Sequence, residues 1–380
     1  MAPPSGWGTR TTGRGNSGLA AQPRIADSLC VSPNRHNGWL DWLRFLAALE
    51  VVLTHARTVM FVEYGELHSH NPAILAWVLA TRLGSEAVII FFVLSGYLVG
   101  GRAFSLSRQG KFQPMTYALD RTVRILVPLS AAILLTVAVI LALHHPVDGW
   151  QMLGHLLSLQ GVLVKVVDVD EPLWSLSYEV WFYIIGGAVA VMISRRRVLP
   201  VPAILVLLGA IVFTRLNPLY ALLWIGGALC YFYRPARPSA AKIALASAVV
   251  LAGVAVFQGS LPHGTDEIGK PLGQVLGGAI ILIGLMGLIP QLRSSGGGGQ
   301  GLPSFLASFS YSLYLIHLPL LSLQPTKDAR DINAATIGHY VATVLVIVLV
   351  AFLFSRCFET TAPTIKAFLR KAIQREPRLA

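Results

Sequence analysis

The sequence predicts an all-α polytopic membrane protein of about ten transmembrane helices, with both termini in the cytoplasm. Three observations carry this reading. Of 380 residues, 54% are hydrophobic and only 13% charged, where a soluble domain carries about 25% charged residues. Apolar runs close to the ~20 residues needed to cross a bilayer fall at 38–60, 83–101, 125–143, 173–193, 198–214, 217–233, 241–258, 272–290, 304–323 and 337–356. With the N-terminus inside, 22 of the 30 Lys and Arg lie in inside segments, five lie outside and three lie in or at the ends of spans. That asymmetry is the positive-inside pattern. It also explains a net charge of +12 without a nucleic-acid partner.

Taken in order, residues 1–36 are rich in Pro, Gly, Ser and Arg and have no apolar core of a signal peptide. They read as a disordered basic tail. Residues 37–358 form the transmembrane domain, and 359–380 read as a basic cytoplasmic tail. Cys30, Cys230 and Cys357 are too far apart for a disulfide framework or a zinc site. His144 and His145 are adjacent, so they do not share a helix face, and no metal site is assigned. The run SSGGGGQG at 294–301 reads as a flexible linker rather than a phosphate loop, because no dinucleotide fingerprint accompanies it.

The first span holds the least apolar chemistry. Leu40 to Arg57, LDWLRFLAALEVVLTHAR, contains Asp41, Arg44, Glu50, His55 and Arg57. Arg44 and His55 are eleven residues apart; at about 100° and 1.5 Å per residue, both project from nearly one face, roughly 16 Å apart along the axis. Asp41 falls within about 40° of the same face. Ionisable groups at membrane depth point to a site. The plain alternative is a snorkelling Arg near a helix end and a His bonded to a neighbouring helix.

Four further stretches stand out. FFVLSGY at 91–97, with Gly100 and Gly101 after it, has small residues that let helices approach closely, so packing explains it well. Arg121 and Arg124 in DRTVRILVP sit at the cytoplasmic start of the third span, on one helical face. They read either as membrane-edge anchors or as a seat for an anion, which two guanidiniums grip with bidentate geometry. WSLSYEVWFY at 174–183 places Glu179 about a turn and a half into the fourth span, where a carboxylate needs a partner or a proton; its aromatics also suit a membrane interface. SYSLYLIHLP at 310–319 places His317 in the ninth span, as a functional group or as a His satisfied by a neighbouring helix.

Arg44 and His55 with ten residues between, FFVLSG at 91–96, the Arg121/Arg124 pair, WSLSYE at 174–179 and SYSLYLIH at 310–317 occur in this order. Together they resemble the acyltransferase family 3 membrane proteins, which modify bacterial surface glycans and some secreted small molecules. The resemblance covers residues 38–357. There are departures: Ile89 stands where many members carry an Asp, with Glu86 one turn earlier, and Val180 stands where many carry a second Glu after Glu179. The short basic tail leaves no fused periplasmic esterase-like module in this reading.

The resemblance implies a multi-pass protein of the bacterial inner membrane that moves an acyl group, most often acetyl, from acyl-CoA to a hydroxyl. Its implied partners are acyl-CoA as co-substrate, with no bound cofactor, a glycan or other hydroxylated acceptor, and the lipid bilayer. His55 is expected to be the general base, with Glu179 and also Asp41 as candidates to orient it; a transient acyl-His is the other route. Arg44, Arg121, Arg124, Asp41, Trp174, Ser177, Tyr311 and His317 are expected to bind substrate or acyl-CoA, with Arg102 a further candidate at the phosphates. Two rival classes stay open: a membrane exporter without chemistry, which would also place Arg, Glu and His inside a bundle, and a scaffold of a glycan-synthesis complex. Labelled acetyl-CoA separates both from the enzyme.

Overall fold

A computed structural model describes residues 37–62, 64–66, 71–261, 271–299, 301–324 and 332–375. The expected tail over 1–36, and Cys30 within it, lie outside the described residues. Every named element is helical, and there is no strand among the described residues. In order they are α1 (Gly38–Met60), α2 (Pro72–Ala80), α3 (Gly84–Ser95), α4 (Arg102–Arg108), α5 (Pro114–Ala142), α6 (Gly149–Leu156), α7 (Trp174–Arg195), α8 (Pro200–Val212), α9 (Leu219–Cys230), α10 (Ala240–Gln258), α11 (Pro271–Ser295), α12 (Leu302–Ser308), α13 (Ser310–Leu321), α14 (Ala334–Phe358) and α15 (Ala362–Arg375).

A helix covers each of the ten apolar runs. Six stretches are long and apolar enough to cross a membrane, or seven if the pair α12 and α13, bent by 49°, is one span. Helix α1 has the length, with 23 residues, but is interrupted by charge, while α8 and α9 have only 13 and 12 residues. The chain is therefore a multi-pass membrane protein, and ten spans with cytoplasmic termini remain an expectation. Two boundaries differ from the sequence reading. Helix α5 begins at Pro114, so Arg121 and Arg124 lie about two turns or more inside it instead of at its start. Pro at the first position needs no hydrogen-bond partner for its nitrogen, which favours this early start. The segment after 358 is not all irregular tail: it contains α15, which packs on α5 through an ion pair between Lys366 and Asp120.

Helix α1 is the hub. It packs against α3, α11, α12, α13 and α14, and Ala48, Val52 and Ala56, one turn apart, are fully buried. Its polar side chains are spent on neighbours. Asn37 caps it by accepting from the Trp39 and Leu40 amides, and its amide nitrogen donates to the carbonyls of Leu292 and Arg293. Glu50 accepts from the Leu83 amide at 3.0 Å, and Arg57 Nε donates to the Thr81 carbonyl at 3.4 Å, so both hold the turn before α3. The Gly-rich segment expected as a free linker lies against α1: Trp42 Nε1 donates to the Gly298 carbonyl at 3.1 Å.

Helix α3 continues through a π-helical turn, Gly96–Gly101, into α4. This turn lies on α9 with backbones nearly touching: a Cβ on Gly96 would sit 1.9 Å from the Trp224 carbonyl oxygen, and one on Gly227 would sit 2.0 Å from the Val93 oxygen. The FFVLSGY stretch thus packs as small residues allow. Gly227→Ala should lower the thermal melting point in detergent by the equivalent of about 1–3 kcal/mol, the usual cost of overpacking. An unchanged melting point would mean the two backbones separate freely.

The connection between α5 and α7 is folded around His155 and Gln160. His155 Nε2 accepts from the Val167 amide at 3.1 Å, and burial pushes its pKa down to about 4 from an ordinary 6.5. An opened loop takes up the proton first, so this connection should be most stable above pH 6.5 and lose stability as pH falls toward 4. The hydrogen-exchange protection factor of the Val167 amide, corrected for the intrinsic rate at each pH, should fall over that window in wild-type protein. Equal protection at pH 7 and pH 5 would refute the role given to His155.

Candidate active site

Four helices build the site: α1, α5, α7 and α13. Their polar side chains gather at two ends. At one end lies a histidine pair. His55 Nδ1 is 2.8 Å from the Val51 carbonyl of its own helix and 3.2 Å from His317 Nε2. His317 Nδ1 is in turn 2.7 Å from the Tyr314 carbonyl, and His317 is fully buried. Carbonyls only accept, so in the neutral rings both Nδ1 atoms carry the proton. His317 Nε2 is then a lone pair, and the single His55 Nδ1–H is shared between the Val51 carbonyl and that lone pair. What is left is the lone pair on His55 Nε2, on a side chain that is 26% exposed. Glu171 Oε2 lies 3.7 Å from that nitrogen.

Glu171 is positioned by the short turn Asp168–Leu173 that leads into α7. Asp170 fixes the turn to α5, accepting from Thr136 Oγ1 at 2.9 Å. Tyr314 fixes it to α13: its hydroxyl donates to the Pro172 carbonyl at 2.6 Å and receives the Ser175 hydroxyl at 2.8 Å. Tyr314 thus holds His317 through its backbone and the Glu171 turn through its side chain.

At the other end lie the arginines. Arg44 pairs with Asp41 at 3.5 Å and is an electrostatic neighbour of Arg124, Tyr183 and Glu179. Arg121 lies over the Tyr183 ring, 5.6 Å from its centre. The Tyr183 hydroxyl donates to Glu179, and Tyr117 donates to the Tyr183 carbonyl. Tyr311 is close to Arg124 and Glu179, and its hydroxyl is 3.5 Å from the Ile125 carbonyl. Glu359, just beyond α14, accepts from the Ser312 amide at 3.0 Å and from the Ser312 hydroxyl, and neighbours Arg124. Arg44 and Arg124 therefore meet carboxylates from α1, α7 and the end of α14, and Arg121 lies beside them on Tyr183.

The residues expected from sequence divide accordingly. Arg44, Arg121, Arg124, Asp41, Tyr311 and Glu179 come together at the arginine end, and His55 with His317 at the other. Glu179 and Asp41 are not brought to the imidazole they were expected to orient; Glu171, His317 and the Val51 carbonyl are there instead. Ser177 is turned away, its hydroxyl donating to the Gln160 carbonyl at 2.6 Å with the Ser158 carbonyl 3.0 Å off. Trp174 sits in an aromatic cluster with Phe92, Tyr178 and Tyr220. Arg102 is exposed on α4. Glu86 accepts from Gln258 of α10 at 2.7 Å and reaches neither end. No group of three or more metal-ligating side chains is present among the described residues.

Glu171, Tyr314 and Glu359 were not singled out from sequence. Glu171 stands just before the WSLSYE block and Tyr314 inside SYSLYLIH, so both carried a local signal. Glu359 carried none, since its partner Ser312 is 47 positions away. Glu359→Ala leaves a Ser312 amide without its acceptor and should cost about 1–3 kcal/mol of stability, whereas Glu359→Gln keeps an acceptor and should melt near wild type. Equal melting of the two variants would remove this assignment.

A family model for an acyltransferase domain, acyltransferase family 3, matches residues 37–356. No curated protein and no solved structure matches the chain.

Proposed function

Because the chain belongs to acyltransferase family 3, and so is a membrane-bound acyltransferase, we propose that it moves an acyl group, acetyl by preference, from acyl-CoA to a hydroxyl of a surface or exported glycan. One observation carries the reading: a polarised imidazole and a cluster of guanidiniums lie at opposite ends of one helix-lined site, eleven residues apart on α1. The separation of roughly 16 Å is comparable to a pantetheine arm. The nucleotide phosphates sit at Arg44, Arg121 and Arg124, and the thioester reaches His55. The positive-inside pattern supports an arginine end at the cytoplasm, the side on which acyl-CoA is available in this reading.

In the step itself, His55 Nε2 takes the proton of the acceptor hydroxyl as its oxygen attacks the thioester carbonyl. The carbon–sulfur bond breaks, the acyl group stays on the acceptor oxygen, and the CoA thiolate takes the proton back from the imidazolium. His317 Nε2 and the Val51 carbonyl hold His55 in the reactive tautomer. Glu171 favours the imidazolium in the transition state, a role served by carboxylates in other base–orienter pairs. Glu179 balances charge at the arginine end. The acceptor, an exopolysaccharide, lipopolysaccharide or glycolipid sugar, approaches the histidine end from outside.

Membranes holding His55→Ala should incorporate label from acetyl-CoA into glycan about 10²–10⁴-fold more slowly than wild type, at equal protein levels. A fully active variant would sink the assignment. Comparing O-acetyl signals in surface glycan by NMR, with and without the protein, names the acceptor. Arg124→Ala should weaken acyl-CoA binding about tenfold, from the loss of a charge-assisted contact, and leave acceptor binding unchanged. Unchanged acyl-CoA affinity would free Arg124 from this role.

A further inference from the structure

A second cationic seat lies apart from the three arginines above, where the π-helical turn, α9 and α11 end together. Arg293 lies over two tyrosine rings, 5.6 Å from the centre of Tyr97 and 4.8 Å from that of Tyr231. Arg234 covers Tyr231 at 5.6 Å, and the two tyrosine rings are 5.5 Å apart. Arg293 is half-buried and Arg234 exposed, and the pair differs from two other half-buried cations. Arg44 has Asp41 and Glu179, and Lys366 has Asp120. Arg293 and Arg234 have no carboxylate partner among the described residues. Tyr97 is 2% exposed and its hydroxyl faces Arg293. Yet that hydroxyl and the buried Nη1 of Arg293 make no hydrogen bond of ordinary geometry among the described residues.

Enclosing one guanidinium nitrogen, Arg293 Nη1, without a counter-charge is costly. A guanidinium held over aromatic rings still has N–H donors to offer a bidentate oxyanion, and the Tyr97 hydroxyl beside it is a further donor. The seat adjoins the start of α1, because Asn37 donates to the Arg293 carbonyl at 3.2 Å. Arg44 follows seven residues later, about 10 Å along the axis. Acyl-CoA carries two separated anionic groups, a diphosphate and a ribose 3′-phosphate. We infer that Arg293, Arg234 and Tyr97 form a phosphate seat for the 3′-phosphate of the donor nucleotide, while Arg44, Arg121 and Arg124 hold its diphosphate. This rests on the acyl-CoA reading above.

The test is calorimetric binding of CoA and of 3′-dephospho-CoA to full-length protein in phosphatidylcholine nanodiscs. Wild type should prefer CoA by roughly tenfold to a hundredfold, the range of a charge-assisted contact. Arg293→Gln should bring CoA down to the affinity of dephospho-CoA and leave the latter unchanged. Arg234→Gln, at an exposed position, and Tyr97→Phe should each narrow the gap, so a misfolded Arg293 variant does not decide the matter. An unchanged preference in all three overturns the seat while leaving the donor reading standing. Wild type that binds neither nucleotide overturns both. If Arg293→Gln keeps its CoA preference but loses phosphatidylglycerol that otherwise co-purifies, the seat belongs to a lipid headgroup and the assignment to the donor falls.

Discussion

An ionisable side chain at membrane depth has to be met by a partner from another helix, and in this bundle that requirement falls hardest on α1. Five ionisable groups interrupt its apolar surface, and a lipid-facing position would leave them exposed to hydrocarbon. The bundle resolves this by surrounding α1 with α3, α11, α12, α13 and α14. Elements around it then answer particular groups. The turn before α3 receives Glu50 and Arg57, α13 receives His55, and α5 and α7 bring charge to Arg44. The central position of the helix and the positions of its partners are one constraint seen from two sides.

The same constraint separates the two kinds of chemistry. Helices α7 and α13 both run the length of the site. Each places its polar residues in register with α1, Glu179 and Tyr311 toward the arginines, Ser175, Tyr314 and His317 toward the imidazole. Tyr314 links the two layers of support at the histidine end, since one residue holds both His317 and the turn carrying Glu171. A base whose tautomer is fixed by two buried acceptors has little freedom to turn, which is what an oriented proton acceptor requires.

Close helix packing serves the site indirectly. The near contact of Gly96 and Gly227 with backbone carbonyls brings α3 and α9 together. That contact sets the π-helical turn beside Tyr231, and so places Tyr97 within reach of Arg293. A π-turn shifts the register of the residues after it. Here it ends at Gly101, immediately before Arg102.

By itself, the sequence determined the membrane class, the places of the apolar helices, and the presence of Arg44 and His55 on one face of α1. Each of these follows from local composition or from helical period, which the order of residues carries directly. The same periodicity grouped Arg121 with Arg124, although the start of α5 was placed late, because the amphipathic first turns beginning at Pro114 are not apolar enough to register as membrane span. The tertiary structure alone decided the partners. Glu179 has the depth expected of an orienting carboxylate, but it accepts from Tyr183 one turn on in its own helix, and the rotation of α7 turns both to the arginines. The short turn before α7 delivers Glu171 to the imidazole instead. Ser177 faces the Gln160 loop, and Glu359 reaches Ser312 across the bundle. These pairings depend on helix rotation, crossing and tilt, which arise from contacts between residues far apart in the chain and leave no period within any one segment.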